Sequence, residues 1–281
     1  MPESTPLEDR NAVVEEILDG SYDLHVHSSP DLTEGLRLDA LDTGSHAQEA
    51  RMAGFVLKSH YYPTTPLAQA LSRIYPGLRV AGSLCLNHEV GGLNPAAVEA
   101  SAVMGARVVW MPTRGTAPSS GRPGLRLTDD GGELLAPLHD ILDVVQRHEM
   151  LLASGHAPLR EALTLFQAAK AAGVEHMVVT HPAMDADREL LGRLVGLGAY
   201  AEYTLLSCTP SRGSATPTEL VAAIRDLGVE RCVVTTDFGQ WMNPPPAEGM
   251  RMAIAELLYA GMEPDEVSIL VKTNPLRLIG Q

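Results

Sequence analysis

The chain reads as an α/β protein of the (β/α)8 type, a TIM-type barrel with a short N-terminal extension and a long loop after its fourth strand. Three observations carry this reading. Eight short apolar runs recur along the chain, most of them separated by Ala/Leu-rich stretches of helical periodicity, an alternation that builds a parallel sheet covered by helices. Glycine recurs where a helical stretch gives way to the next strand, as at Gly54, Gly105, Gly173 and Gly198, supplying the left-handed cap at which a helix stops. No Gly-x-Gly-x-x-Gly follows any strand, so the usual sign of the open, doubly wound rival is missing, and eight parallel strands are the number that closes a barrel.

In chain order, residues 1–20 are polar and charged, carry no apolar leader-like core, and form a short helical extension; residues 21–281 form one barrel domain. Strands are expected at 21–27, 54–60, 78–86, 106–112, 150–155, 175–180, 199–205 and 231–236. Helical patterns occupy 40–53, 94–104, 136–148, 158–172, 185–197 and 217–227. Two helix starts are marked by a proline just inside the first turn, in Asn94-Pro95 and Thr216-Pro217. The segment 113–132, rich in Gly, Pro, Ser and Thr, breaks the rhythm and is expected as a loop overhanging the active face. Late apolar residues (Met250, Met252, Leu257, Leu258, Met262) fall at helical spacing and suit a helix packed on the barrel, with homo-oligomerisation left open.

Composition narrows the class. A hydrophobic content of 45% with 20% charged residues is that of a globular enzyme. The net charge of −14 disfavours nucleic acid and anionic membranes as partners and leaves a small molecule as the expected one. Three cysteines without a Cys-x-x-Cys pair fit a reducing compartment, and no stretch reaches the length of a membrane span, so cytoplasm is the expected location.

Function is read from where polar residues fall. Asp23-Leu24-His25-Val26-His27 puts two imidazoles one residue apart at the end of the first strand, where i and i+2 share a face and converge on one point suited to a divalent transition metal. The other strand ends carry Lys58 and His60 (second), His88 and Glu89 just past the third, His156 (fifth), His181 (sixth), Glu202 (seventh) and Asp237 (eighth). In a barrel of this type the C-terminal ends of the strands hold the active site. Each residue alone has an ordinary structural explanation, such as a turn cap for His156, a helix cap for Asp237 or a salt bridge for Lys58. It is the coincidence of all of them at one end that points to a metal site.

Taken together, these residues resemble the amidohydrolase superfamily of metal-dependent barrels: His25-x-His27 after the first strand, His156 after the fifth, His181 after the sixth and Asp237 after the eighth. Asn274-Pro275-Leu276-Arg277-Leu278-Ile279-Gly280 looks like the ending common there. The resemblance implies a divalent metal, zinc first with manganese or iron as alternatives, in one or two ions. Its ligands are drawn from His25, His27, His156, His181, Asp237 and Lys58. Asp237 is implied as the general base and His181 and His60 as further catalytic groups that steady an oxyanion; Arg114, Glu202 and His88, from their places at or just past strand ends, are expected to bind substrate.

One departure matters. Two-metal members carry a bridging carboxylated lysine or glutamate after the fourth strand, and Val108-Val109-Trp110-Met111-Pro112 has neither. Either one metal is held, or Lys58, Glu89 or Glu202 supplies the bridge. A weaker resemblance, to the polymerase-and-histidinol-phosphatase metal phosphoesterases, rests on His25-x-His27, His60 and His88-Glu89. It lacks that family's Asp-x-His ending, since Asp237-Phe238-Gly239 has no second histidine, and that barrel has seven strands. The reaction expected is hydrolysis of a C–N or C–O bond in a small cyclic amide, lactone or related molecule. A one-metal decarboxylase and a phosphoesterase are the alternatives.

Among the loop arginines, Arg114, Arg122 and Arg126, Arg114 is the best placed to grip a carboxylate or phosphate. Tyr61, Tyr62, Trp110, Tyr203 and Trp241 fall near strand ends and suit a pocket for a ring.

Overall fold

A computed structural model describes residues 7–33, 35–116 and 124–280. Eight parallel strands run in sequence order around a barrel: β1 (Tyr22–Val26), β2 (Gly54–Leu57), β3 (Arg79–Cys85), β4 (Val108–Trp110), β5 (Leu151–Ala153), β6 (Met177–Val179), β7 (Tyr200–Thr204) and β8 (Cys232–Thr235). The (β/α)8 expectation holds, and each strand lies within the span expected for it. The residues just past β8 complete the ring on β1, where the His27 amide donates to the Phe238 carbonyl at 2.8 Å and the Asp237 amide to the His25 carbonyl at 3.0 Å.

The helices lie outside: α1 (Leu7–Leu18), α2 (Ala40–Glu49), α3 (Thr65–Ile74), α4 (Pro95–Val103), α5 (Ala136–Arg147), α6 (Leu159–Ala171), α7 (Arg188–Gly196), α8 (Pro217–Leu227), α9 (Pro246–Tyr259), α10 (Pro264–Ser268) and α11 (Asn274–Leu278). Helix α3 was not marked as helical from sequence, although Thr65-Pro66 starts it as a proline in the first turn should. Helix α9 is the late apolar segment: Met250 and Leu257 are buried against the barrel, and Met262 just beyond it is buried too. No described helix is long and apolar enough to cross a membrane.

Strand alternation divides the core. Tyr22, Leu24, Val56, Val108, Trp110, Leu151, Val178 and Val233 point into the barrel. Val26, Phe55, Leu57, Val109, Leu152 and Val179 point outward under the helices. Each fully buried side chain of this size contributes roughly 1.5–3 kcal/mol. The Asn274–Gly280 segment closes the floor: Leu278 and Ile279 join the interior cluster, and the Asn274 side-chain amide donates to the carbonyls of Val229 and Cys232. That ending is a structural plug at the barrel end opposite the histidines.

Strand β1 contains a bulge. Asp23 pairs with Phe55 and Val26 with Leu57, so three steps along β1 match two along β2. Strict alternation from Tyr22 and Leu24 would turn His25 and His27 toward the helices. The extra residue shifts the phase, so Leu24, His25 and His27 all face inward or upward into the barrel while Asp23 and Val26 face out. A bulge beside a site re-aims side chains in this way.

Of the long loop after β4, residues 117–123, including Arg122, lie outside the described residues. Its described return is tied to α6, where the Glu161 carboxylate accepts from the amides of Leu127 and Thr128. Arg126 pairs with Asp130 at 2.7 Å on the surface.

Candidate metal centre

A cavity of about 690 Å³ opens at the C-terminal ends of the strands. Its floor gathers His25 and His27 from β1, Lys58 after β2, His156 after β5, His181 after β6, Glu202 from β7 and Asp237 after β8, with His60 and Arg114 on one wall. Of the residues singled out from sequence, His88 does not line it. His88 sits half-buried in a 3-10 turn, His88–Val90, against Gly115. Among the aromatics, Tyr203 reaches the cavity wall, Trp110 lies in the barrel below, and Trp241 is 62% exposed to solvent.

The tightest convergence is His25, His27 and Asp237. Asp237 Oδ1 lies 3.1 Å from His25 Nε2 and 3.2 Å from His27 Nε2. Two ligand atoms on one tetrahedral zinc with arms of 2.0–2.1 Å are separated by about 3.3 Å, so these spacings are those of donors sharing an ion. His156 Nε2 and His181 Nε2 form a second such pair at 3.2 Å. Among the described residues, the first trio is the group whose donor atoms all approach one another closely enough to hold a metal.

Hydrogen bonding fixes the chemistry of His25. Its Nδ1 donates to Glu202 Oε1 at 2.8 Å, and Glu202 Oε1 also accepts from the Thr235 hydroxyl at 2.9 Å. That leaves Nε2 with a lone pair, the arrangement in which a carboxylate behind the ring orients a metal-binding imidazole. Burial holds the His25 ring far below the ordinary imidazole range, and the Lys58 ammonium adds to that against the pull of Asp237. The Nε2 lone pair then faces the Asp237 carboxylate, and two facing acceptors need a cation between them. Lys58 Nζ, 2.8 Å from His25 Nε2, provides one here. Burial pushes the Asp237 carboxyl up, but the surrounding imidazoles, among them His27 through its hydrogen bond, outweigh it and hold the group well below the usual carboxylate range. A neutral ring and an ionised carboxylate are the protonation states a divalent metal takes as ligands.

The inward position of β4 nearest the cavity is Trp110. The Lys58 ammonium rests 4.4 Å from the centre of its ring, and the His25 ring packs at 4.8 Å. An indole thus fills the place from which a bridging carboxylate would come. Glu202 Oε1 is spent on His25 and Thr235, while Oε2, fully buried, has no hydrogen-bond partner among the described residues. Burial raises the Glu202 carboxyl above its ordinary value.

Several positioning residues carry no sequence motif. Asp23, facing outward on β1 and fully buried, accepts from the His25 amide at 3.0 Å, the Thr236 amide at 3.2 Å and the Thr236 hydroxyl at 2.5 Å. It clamps the bulge of β1 to the end of β8, so His25 and Asp237 are held from one point. Ser154 and Thr180 cross-pin β5 and β6: the Thr180 amide donates to Ser154 Oγ and the Gly155 amide to Thr180 Oγ1. Gly155, at φ +58°, is obligatory, because a Cβ there would sit 2.2 Å from the Met111 carbonyl oxygen. Asn87 joins the wall, accepting from the amides of Thr113 and Arg114 and donating to Thr113 Oγ1 and the His60 carbonyl. The signal available in sequence was only a hydroxyl, amide or acidic residue at a strand end, which is too common to single out. His181 (φ +22°) and Asp237 (φ +54°) have positive φ, a backbone that Asp and His tolerate better than most side chains and that Arg51 and Glu149 also adopt away from the site.

The buried rings give a pH dependence. Burial, the Lys58 ammonium and the neighbouring His27 hold His60 far below the ordinary value near 6.5. In the unfolded chain the same ring protonates near pH 6.5, so below that pH the unfolded state binds more protons and stability falls. The metal-depleted protein is expected to lose melting temperature steadily from pH 6.5 down to 4.5, and His60→Gln to lose less. Parallel slopes for the two proteins would remove His60 as a source.

Solved structures share this architecture at low identity. The probable dipeptidase PvdM from Pseudomonas aeruginosa superposes with a TM-score of 0.69 at 14% identity, over 98% of each chain. A probable 2-pyrone-4,6-dicarboxylic acid hydrolase from Acinetobacter baumannii, solved with citric acid bound, gives 0.61 at 15% identity, over 93% of this chain and 100% of its own. A 2,6-dihydroxybenzoate decarboxylase complexed with 2,6-dihydroxybenzoate gives 0.59 at 12%, over 94% and 100%. What these structures share with this chain is the (β/α)8 barrel. No curated protein sequence matches the chain. A family model does, over residues 20–202, from the start of the barrel to Glu202. Matched over more than half its length, the chain belongs to DUF6282, a family of unknown function.

Proposed function

We propose that the chain is a metal-dependent hydrolase of a C–N or C–O bond in a small molecule, and that zinc, or manganese or iron in its place, is held by His25, His27 and Asp237 with His156 and His181 as further ligands. The observation that carries this reading is the convergence of His25 Nε2 and His27 Nε2 on Asp237 Oδ1, at 3.1 and 3.2 Å, the spacing of donors sharing one ion. A divalent ion bound there supplies Lewis acidity and lowers the pKa of water from 15.7 to about 7. Asp237 has a second carboxylate oxygen free to take the proton of the attacking water and hand it to the leaving group. Glu202 keeps His25 in the metal-binding tautomer, which makes it an orienting residue more than a substrate contact. His181 and His60 stand at the cavity wall where an oxyanion would develop.

Lys58 joins the scheme as the missing bridge. Carboxylation by CO2, which forms an N–C bond at Nζ and releases two protons from the ammonium, would convert a cation competing for His25 into an anionic ligand. Without it the site holds one ion. The indole at Trp110 in the bridging position favours that second reading, a mononuclear decarboxylase, and a decarboxylase shares the fold.

Elemental analysis of protein purified without chelators, with and without added bicarbonate, is the test. About two equivalents per chain with bicarbonate, falling toward one in Lys58→Ala and toward none in His25→Ala/His27→Ala, supports the bridged hydrolase. One equivalent, indifferent to bicarbonate, supports the mononuclear reading. No metal bound or taken up on titration ends both.

A further inference from the structure

Outside the histidine cluster, the cavity wall carries two guanidinium groups that the scheme above leaves unused. Arg114 stands on the loop after β4 and Arg212 on the loop after β7. In a ring of eight strands in sequence order those loops lie three strands apart, on well-separated sides of the opening. Arg212 was not singled out from sequence, because nothing marks it among the loop arginines. Neither side chain has an ion pair or a hydrogen bond among the described residues, unlike Arg126, Arg147, Arg188 and Arg251, which are all held by carboxylates.

Arg114 is built in. Asn87 pins its backbone amide at 2.9 Å, and its guanidinium stacks 5.3 Å from the Tyr61 ring centre, which occupies one face and leaves the N–H edges free. Guanidinium edges match carboxylate geometry in two parallel hydrogen bonds. Apolar side chains, Leu36, Met184 and Leu206, also line the cavity, among polar ones such as Ser207 and Gln240. Among the described residues, Asp185, on the loop after β6, is an acidic group at the rim. In a chain of net charge −14, the cavity lining sets three cationic side chains, Lys58, Arg114 and Arg212, against three acids, Asp185, Glu202 and Asp237.

We infer that the substrate is a small dicarboxylate, with one carboxylate on Arg114, the other on Arg212, and a hydrocarbon or ring body against the apolar side chains with its scissile bond over the histidines. The inference rests on the proposed hydrolytic site and names the substrate class of that site.

The test is calorimetric titration of the metal-loaded protein with succinate, glutarate and adipate, each against the monocarboxylate of equal carbon number. The expected result is at least tenfold tighter binding of one dicarboxylate than of its monocarboxylate partner. Arg114→Gln and Arg212→Gln should each reduce that preference several-fold, and the double variant should abolish it. Both side chains are exposed, so the variants should fold, and metal content measured on the same samples should stay at the wild-type value. Equal affinities for the two acid types would overturn the inference, as would a preference surviving in the double variant, which would place the second carboxylate on the metal or Lys58. A wild-type protein without metal sinks the hydrolytic reading instead, so the two failures are read by different measurements.

Discussion

Asp237→Asn is expected to lower turnover by about two to four orders of magnitude, the range typical of a lost general base. The substitution keeps the size of the side chain and one oxygen that can face His25 and His27, so much of the bound metal should remain. It removes the oxygen that accepts a proton. Because Asp237 is held well below the usual carboxylate range, the wild-type group is ionised throughout the neutral range, and the defect should not be rescued by raising the pH. The effect should fall on kcat and kcat/KM alike, as expected for an interaction made in the transition state. The measurement is steady-state kinetics on whichever lactone, amide or dicarboxylate derivative the wild type turns over, with metal analysis of both proteins. A near-normal rate with metal retained would take the proton-transfer role away from Asp237.

The second large effect is on stability, and it comes from a residue that touches no substrate. Asp23→Ala removes the acceptor of two backbone amides and one hydroxyl, all buried. A buried donor left unpaired costs about 1–3 kcal/mol, and relaxation shares the loss, so a total of roughly 3 kcal/mol is expected. Asp23→Asn keeps one acceptor oxygen and should cost less. The two also differ from wild type in their pH response. Burial pushes the Asp23 carboxyl up to about 7 from an ordinary 3.8, with the Thr236 and His25 donors opposing. A raised carboxyl stabilises the fold fully below its unfolded value, and that contribution is lost as the pH climbs through about 7. The gap between wild type and Asp23→Asn should therefore narrow from pH 4 to pH 7. Chemical denaturation across that range, with metal analysis, checks both points. If Asp23→Ala were as stable as Asp23→Asn and held metal equally, the clamp would have no consequence for the site.

The barrel was legible because each of its strands is short, apolar and followed by a cap or loop that punctuates the sequence. Helix α3 escaped because its ten residues lie between Tyr61-Tyr62-Pro63 and Tyr75-Pro76-Gly77, where turn residues mask a short amphipathic run. The histidines at strand ends were legible because few residue types do what imidazole does and the barrel brings those ends together. What could not be read was the support beneath them. Asp23, Ser154, Thr180 and Thr236 act through hydrogen bonds that mostly reach partners far away in sequence, and the residues themselves are ordinary. His88 illustrates the opposite error: its place just past a strand end suggested a substrate contact, but the 3-10 turn that follows β3 carries it away from the cavity.

The bulge in β1 gives the chain two rulers that disagree by one. Hydrogen bonding to β2 counts residues on one scale, and the inward face counts them on another, with the changeover between Asp23 and Val26. Losing the bulge with every residue kept would turn both imidazoles into the helical layer, whereas deleting Leu24 would restore plain alternation and leave both facing the cavity. The bulge thus inserts one extra residue between the Asp23 clamp and the imidazoles without taking either off the site.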